Sequence, residues 1–391
     1  MNQKITLTSI AKALANDEFI FYYQPIVSML TGKICGAESL IRWRQPDGTI
    51  IPPDEFIPIA EETGFITEIT RCNLPKVVKD INTLNQINDS IFVSFNVSAK
   101  DFADTDFLEA LFQATTVKLE NLANLCIEIT ETAFLPSDEH TQKVLHDIDA
   151  QGLSIILNDF SAGYTSFNTL THLPLKAIKV AMDVTQRAAK SKNDFRLFRH
   201  LVSMAHQLQL NIIAEGVEDE ETHILMAALG CTHVQGFYYD RPMPLADFIE
   251  LLQKGPSWLE YPFGLEYLAQ YDHIDFRRDV IRAALMISTH QDKDLRERSL
   301  MRLPELEPKK CLFGQWLENT RPLNLENKTY QLISDEHIEF HHLARTLLDM
   351  ALEGENKDKI TKAIVAFSDK SKQMMDLIQD LEIERLKESF F

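Results

Sequence analysis

Missing from this 391-residue chain is any apolar run long enough to span a bilayer, which takes about 20 consecutive apolar residues. The opening residues, MNQKITLTSI, also lack the basic start and long apolar stretch of a signal peptide. Cysteine is scarce and odd in number: five, at Cys35, Cys72, Cys126, Cys231 and Cys311. Four of these lie in or beside apolar stretches and read as small core residues. A disulfide framework is therefore not expected, and a reducing cytoplasm is. Positive charge is short as well: 39 Lys and Arg against 58 Asp and Glu leave a net charge of −19. That balance argues against nonspecific binding to a nucleic-acid polymer. A phosphate-bearing ligand would need local cations. What is there is an apolar fraction of 45%, enough for real cores, in a length that allows two or three domains.

Residues from about 16 to 250 alternate strand-like and helix-like segments. Apolar runs at 19–27, 34–43, 91–98, 125–132, 153–160, 177–182, 211–217 and 233–239 predict eight strands. Helical stretches such as 66–83, 138–151 and 194–209 separate them. Eight strands with intervening helices favour a closed (β/α)8 TIM-like barrel over an open sheet. The first two strands are joined by Leu30-Thr31-Gly32-Lys33, too short for a helical crossover, so one antiparallel strand is expected.

Seven polar residues sit at or near the C-terminal ends of these runs: Glu38, Asn96, Glu128, Asp159, Lys179, Glu215 and Gln235. That is where barrels of this kind build active sites. Four carboxylates cannot be buried together without counter-ions. Oxygen donors with one amide suit hard divalent cations such as Mg²⁺ or Mn²⁺.

After Pro242 and Pro244 the pattern changes. The stretch 251–264, containing KGPSWLEYPFG, reads as a linker between a barrel domain over 1–250 and a helical domain over 265–391. Helices are expected at 265–290, 311–318, 333–353 and 356–388, making an all-α four-helix bundle. The last of them carries Met374, Met375, Leu377 and Leu381 as its apolar stripe.

Several ordered motifs resemble the EAL-domain family, the cyclic di-GMP phosphodiesterases and their non-catalytic relatives. Gln24-Pro25-Ile26 resembles the family's opening, and Glu38-Ser39-Leu40 with Arg42 stands where the name-giving motif belongs. Phe95-Asn96-Val97-Ser98, Glu128-Ile129-Thr130-Glu131, Asp159-Phe160, Ala214-Glu215-Gly216-Val217-Glu218, Gln235-Gly236-Phe237 and Arg241-Pro242-Met243-Pro244 follow in the family's order. The resemblance implies hydrolysis of one phosphodiester of cyclic di-GMP with two Mg²⁺ or Mn²⁺ ions. It implies Glu38, Asn96, Glu128, Asn158, Asp159 and Glu215 as metal ligands. Glu215, Lys179, Asp159 and Gln235 would form the catalytic set, with Lys179 and Gln235 orienting water. Arg42, Leu40, Gln24 and Pro242 would hold the ligand, and Glu131 would brace the loop after Asp159. A homodimer is implied too.

The departures from the family's pattern point another way. Paired aspartates are replaced by Asn158-Asp159, and a lysine-hydrophobic-aspartate motif reads Lys179-Val180-Ala181. Ser161 stands where the family has glycine. Asparagine offers a neutral oxygen but no charge, and a unit charge about 4 Å away is worth on the order of 4 kcal/mol at an effective dielectric of about 20. Asp183 could replace the lost carboxylate only if its strand continued. The expectation is therefore a barrel that binds cyclic di-GMP with weak or absent hydrolysis and signals through a protein partner. A working phosphodiesterase and a nucleotide-free interaction module are the alternatives.

In the helical part, His337 and His341 are four apart and share one helix face. Adding His273 and Cys311 gives three imidazoles and one thiolate, a tetrahedral zinc set with no open position. His290 and His342 compete as ligands. With His273-Ile274-Asp275-Phe276 and Cys311-Leu312-Phe313-Gly314-Gln315-Trp316 present, this part resembles the chemoreceptor zinc-binding (CZB) domain family. A zinc-held thiolate could sense oxidants or zinc itself and regulate the barrel.

Overall fold

The computed structural model describes residues 5–104, 106–115, 119, 121–130, 139–160, 170, 172–258, 263–289, 293–301, 303–321 and 324–390. These fall into two compact units, one carrying all the strands and one entirely helical.

The strands are β1 (Phe19–Ser28), β2 (Ile34–Arg44), β3 (Ile50–Ile51), β4 (Phe92–Val97), β5 (Leu125–Thr130), β6 (Ser154–Phe160), β7 (Ala177–Val180), β8 (Asn211–Ala214), β9 (His233–Val234) and β10 (Met243–Pro244). Six parallel pairings run β2–β4–β5–β6–β7–β8–β9. β1 closes the ring by pairing antiparallel with both β2 and β9. The expected eight-stranded barrel with one antiparallel strand is what forms. The two-residue strands β3 and β10 are additions on its rim.

Three expected strands, β7, β8 and β9, are shorter than read. β7 stops at Val180 because Ala181 opens the helix Met182–Lys190. Asp183 thus lies on that helix, mostly exposed and paired with Arg187, and does not replace the lost carboxylate. β9 ends at Val234 because the chain turns at once: Val217 donates its N–H to the Gln235 carbonyl, and Tyr238 donates back to Val217. Gly236 permits this approach, since a Cβ there would meet the Val217 carbonyl oxygen at 2.0 Å.

The helices Pro53–Thr63, Ile66–Asn85, Glu139–Ala150, Lys192–Gln207 and Glu220–Leu229 fall between strands. In the lower barrel, inward-facing Ile26, Cys126, Ile156, Ala177 and Ile213 form a buried apolar cluster, with Phe92 and Cys35 packed on it. This plug is the floor of the site.

The helical unit holds Phe263–Thr289, Lys293–Met301, Leu312–Thr320, Lys328–Leu352 and Lys357–Phe390. The three long helices pack against one another in all pairs, and Leu312–Thr320 packs on the first two of them. The nine-residue helix Lys293–Met301 was not expected. On the last helix the buried stripe is Ile360, Phe367, Ser371, Met374, Ile378 and Leu381; Met374 and Leu381 of the expected stripe are in it, while a 3.6-residue period leaves Met375 and Leu377 at its flanks. Among the described residues no helix is long and apolar enough to cross a membrane.

Candidate functional site

Side chains of a strand alternate between faces, and that alternation builds a polar layer over the apolar plug. Two residues beyond Cys126 comes Glu128, and beyond Ile156 comes Asn158. Two beyond Ala177 is Lys179, and two beyond Ile213 is Glu215. Phe92 is likewise followed by Ser94 and Asn96. All these strands are parallel, so their C-terminal ends gather on one face, and Glu38 joins from β2, where it pairs with Ser94.

Lys179 is the hub. Its Nζ lies 2.8 Å from Glu38 Oε2, 3.2 Å from Glu128 Oε2 and 2.8 Å from Glu215 Oε1, and its side chain is fully buried. Gln235 Nε2 donates to Glu38 Oε2 at 2.8 Å and to Gln24 Oε1 at 3.0 Å. Asn96 Nδ2 donates to Glu38 Oε1 at 2.9 Å. Asn158 Nδ2 reaches Asn96 Oδ1 at 3.5 Å, while the Asp159 N–H donates to Asn158 Oδ1 at 2.9 Å. The strand is irregular at this point, its register against β7 shifting between Leu157 and Phe160. Asp159 takes a left-handed φ of 56°, as aspartate tolerates better than most residues.

Three carboxylates around one ammonium would leave the buried layer two negative charges in excess if all were ionised. The protonation equilibria register this. Burial pushes the Glu38 carboxyl up, but Lys179 and the hydrogen bonds from Asn96 and Gln235 outweigh it and hold it below the usual range. Burial, then the Glu38 charge, pushes Glu128 up to about 8. Glu215 is raised by burial and by repulsion from Glu38 and Asp159, against the pull of Lys179. Burial works against the Lys179 charge, yet the three carboxylates hold its pKa well above the ordinary value. Breaking a buried pair costs about 3–5 kcal/mol, so Lys179 is what lets this layer fold.

Oxygen donors of this kind suit a hard divalent cation, but among the described residues no three acidic side chains of the layer bring their donor atoms within 4.8 Å of one another. Glu128 Oε1 and Gln235 Oε1 are both buried with no hydrogen-bond partner, and Glu128 feels the Glu38 and Glu215 charges. The oxygens of Glu38, Asn96 and Asn158 already accept hydrogen bonds. Ala181 is the N-cap of its helix and makes no side-chain cap. Glu131 and Ser161 lie outside the described residues.

Next to Glu38 and Asn96 opens a cavity of about 400 Å³, lined by Leu40, Phe21, Asp54, Ile57, Glu61 and Asn73 among others. Sequence reasoning missed this pocket, because the helices Pro53–Thr63 and Ile66–Asn85 close walls that the ends of β1, β2, β4 and β5 only begin. Arg42 is half-buried, its guanidinium 5.6 Å from the centre of the Tyr22 ring, and burial lowers its pKa against the pull of Tyr22, Glu38 and Asp54. Gln24 also reaches toward the Asp240 carbonyl, 3.5 Å away, and Pro242 follows on the same rim, beside β10.

A mostly parallel barrel with carboxylates and a lysine at its strand ends has the frame of an enzyme or small-ligand receptor of the TIM-like class. The chain belongs to the EAL domain family, whose model matches residues 8–242. It is 33% identical over 258 residues to the signaling protein YkoW of Bacillus subtilis, covering 66% of this chain and 32% of that protein. To the cyclic di-GMP phosphodiesterase PdeR of Escherichia coli it is 32% identical over 241 residues, covering 62% of this chain and 36% of that one. The chain thus spans about a third of the length of these two relatives. Among solved structures, the PaMucR phosphodiesterase in complex with c-di-GMP superposes with a TM-score of 0.59 at 29% identity, over 62% of this chain and 98% of that one.

The helical unit carries a second cluster. Among the described residues, Cys311, His337 and His341 are the one group of three His, Cys or acidic side chains whose donor atoms all lie within 4.8 Å of one another, and all three are buried. Cys311 Sγ is 3.2 Å from His337 Nε2 and also accepts the Gly314 N–H at 3.2 Å. Cys311 caps the helix Leu312–Thr320, where the helix dipole favours a thiolate. Burial keeps the imidazoles neutral, lowering His337 to about 2 and His273 to about 3, and lowering His341 as well. Neutral imidazole is the form that ligates metal. The fourth expected ligand, His273, stands outside the group of three, its Nε2 at 3.1 Å from Ser371 Oγ. Of the competitors, His342 is exposed and His290 lies outside the described residues.

Proposed function

We propose that this is a cyclic di-GMP signalling protein whose barrel binds the cyclic dinucleotide and hydrolyses it weakly or not at all. The observation that carries the reading is the pairing of a retained carboxylate–lysine layer with two lost charges. Asn158 faces into that layer as an amide, and Ala181 caps its helix with no carboxylate. The names of PdeR and PaMucR support cyclic di-GMP as the ligand.

A divalent cation would draw its ligands from Glu38, Asn96, Glu128, Asn158, Asp159 and Glu215. When bound, Mg²⁺ or Mn²⁺ would polarise the phosphodiester and acidify a bound water. Lys179 and Gln235 orient groups at the centre of the layer. Arg42 offers a fixed guanidinium to a phosphate that the acidic chain would otherwise repel. Leu40 lines the cavity and, with Gln24 and Pro242, would pack against the nucleotide. The reading extends to the helical unit as a CZB-type zinc site, Cys311, His337, His341 and His273, that regulates the barrel.

The test is incubation of zinc-loaded protein with cyclic di-GMP and Mn²⁺ or Mg²⁺, following binding and linear product together. Binding with little product is expected, and Asn158→Asp with Ala181→Asp should raise turnover at least about tenfold. Product from the unaltered chain at a rate matching the double variant would make it a working phosphodiesterase. Absence of binding would leave a protein-interaction module. Regulation is tested by repeating the assay after zinc removal; unchanged affinity, turnover and oligomeric state would refute it.

A further inference from the structure

We infer that Trp258 straps the segment leading out of the barrel to the turn that seats Gln235, so that this segment sets the position of a side chain in the carboxylate–lysine layer. The inference deepens the proposed regulation of the barrel, and it rests on that reading only where nucleotide affinity is measured. It starts at the end of the helix Leu245–Lys254. Gly255 stops that helix at a left-handed φ of 58°, its N–H donating to the carbonyls of Leu251 and Leu252, a conformation glycine adopts without strain. Pro256 follows and cannot continue the helix. Two residues on, the Trp258 N–H donates to the Gly32 carbonyl at 2.8 Å, in the turn that joins β1 and β2. Part of the stretch that reads as a linker is thus fixed on the barrel, and Trp258 belongs to the barrel unit.

The half-buried indole of Trp258 stands edge-on to the Tyr239 ring, the centroids 5.3 Å apart at 84°. Tyr239 is buried, and its hydroxyl lies 2.7 Å from Nδ1 of His223, on the helix Glu220–Leu229. Tyr238 packs on the same ring with centroids 5.3 Å apart. Edge-on aromatic pairs of this kind hold beyond the area they bury. Tyr239 in turn closes the chain reversal after β9. Its N–H donates to the Gly236 carbonyl, Tyr238 donates to the Val217 carbonyl, and Val217 donates to the Gln235 carbonyl, each at 3.1 Å. The Gln235 N–H reaches the Ala214 carbonyl at 2.9 Å. Gln235 is therefore held by main-chain bonds on both sides, and its Nε2 spans Glu38 and Gln24. The path from indole to charged layer is short: Trp258, Tyr239, the turn, Gln235. A displacement of residues 255–258 would take the indole off Tyr239, loosen the turn and unseat the Gln235 amide.

Hydrogen exchange of the full chain, read by mass spectrometry, tests the strap without nucleotide. Trp258→Ala should raise exchange about tenfold in the peptides carrying the amides of Val217, Gln235, Tyr238 and Tyr239, with β4, β5 and β6 unchanged. Trp258→Phe, which keeps an aromatic edge, should restore most of the protection. Cyclic di-GMP should bind the Ala variant more weakly by about threefold or more, and the Phe variant nearly as it binds the unaltered chain. A tryptophan that only stabilises the fold would raise exchange across the whole barrel; that pattern, or unchanged exchange at the four amides, would overturn the inference. A loosened turn with unaltered nucleotide affinity would overturn it too, since the turn would then not set Gln235. If the unaltered chain binds no cyclic di-GMP, the proposed ligand falls, and the exchange pattern alone decides the strap. Should Trp258→Ala not fold, Trp258→Leu, which keeps bulk without a ring edge, carries the same expectations.

Discussion

Asn158 and Ala181 show how much one atom type decides. Asparagine matches aspartate in shape, so the β6 strand and its bulge at Asp159 survive the exchange. What changes is the sign of the hydrogen bond: an acceptor becomes a donor, and a layer that would need a cation is partly closed by N–H groups. A second residue-scale effect lies beside the cavity. Asp101 is buried, with its Oδ2 accepting the Ser98 N–H at 2.8 Å and the Thr70 hydroxyl at 3.1 Å. Burial nonetheless pushes its carboxyl up to about 6. A raised folded-state pKa means that the native chain holds the proton more tightly than the unfolded one. The stability this gives is fully present below about pH 4 and is lost as pH rises through about 6, a change of about 3 kcal/mol at most. Asp101→Asn should flatten that dependence. Urea unfolding of both proteins at pH 4.5 and 7 would measure it, and parallel pH profiles would contradict it.

Elements, in turn, place the reacting groups. The short β7 and β9 strands end where Lys179 and Gln235 are needed, and the turns beyond them depend on close backbone approach. The same device recurs in the helical unit. Gly314 donates its N–H to Cys311 Sγ, and a Cβ at Gly314 would meet the Pro308 carbonyl oxygen at 1.7 Å and His337 Cε1 at 3.1 Å. The loop before the helix Leu312–Thr320 therefore closes on this glycine. Gly314→Ala should move Cys311 relative to His337 and weaken zinc binding at least about tenfold. Competition with a chromophoric chelator would read this, and unchanged affinity would show that Gly314 has no part in setting the cluster.

On the scale of the whole molecule, two units with different needs share one chain. The barrel has a large apolar core and a charge layer neutralised in part by Lys179. The helical unit buries a thiol and three imidazoles, groups that have little reason to sit together unless something binds them. Zinc binding should therefore be part of that unit's folding free energy. Calorimetry with a strong chelator should lower the melting temperature of one transition by about 10 °C or more, leaving a separate barrel transition in place. A thermogram unaffected by the chelator would remove zinc from the account.

Strand order, the antiparallel hairpin and the identity of the polar layer were legible from residue order. Period-two alternation must carry Glu128, Lys179 and Glu215 to the face that Cys126, Ala177 and Ile213 share. The HxxxH spacing likewise had to bring His337 and His341 together. The sequence could not show where strands end, because Ala181 and Gln235 leave the sheet through contacts with distant segments. Nor could it show the cavity beside Glu38, the seat of His273 on Ser371, or the direction of the Asn158 amide. Those are set by which groups meet across the barrel and the bundle. A hydrogen bond between Asn158 and Asn96 joins residues 62 positions apart, and local sequence carries no record of it. Periodicity determined which side chains face the site; only closure of the barrel decided which oxygens are left free once they arrive.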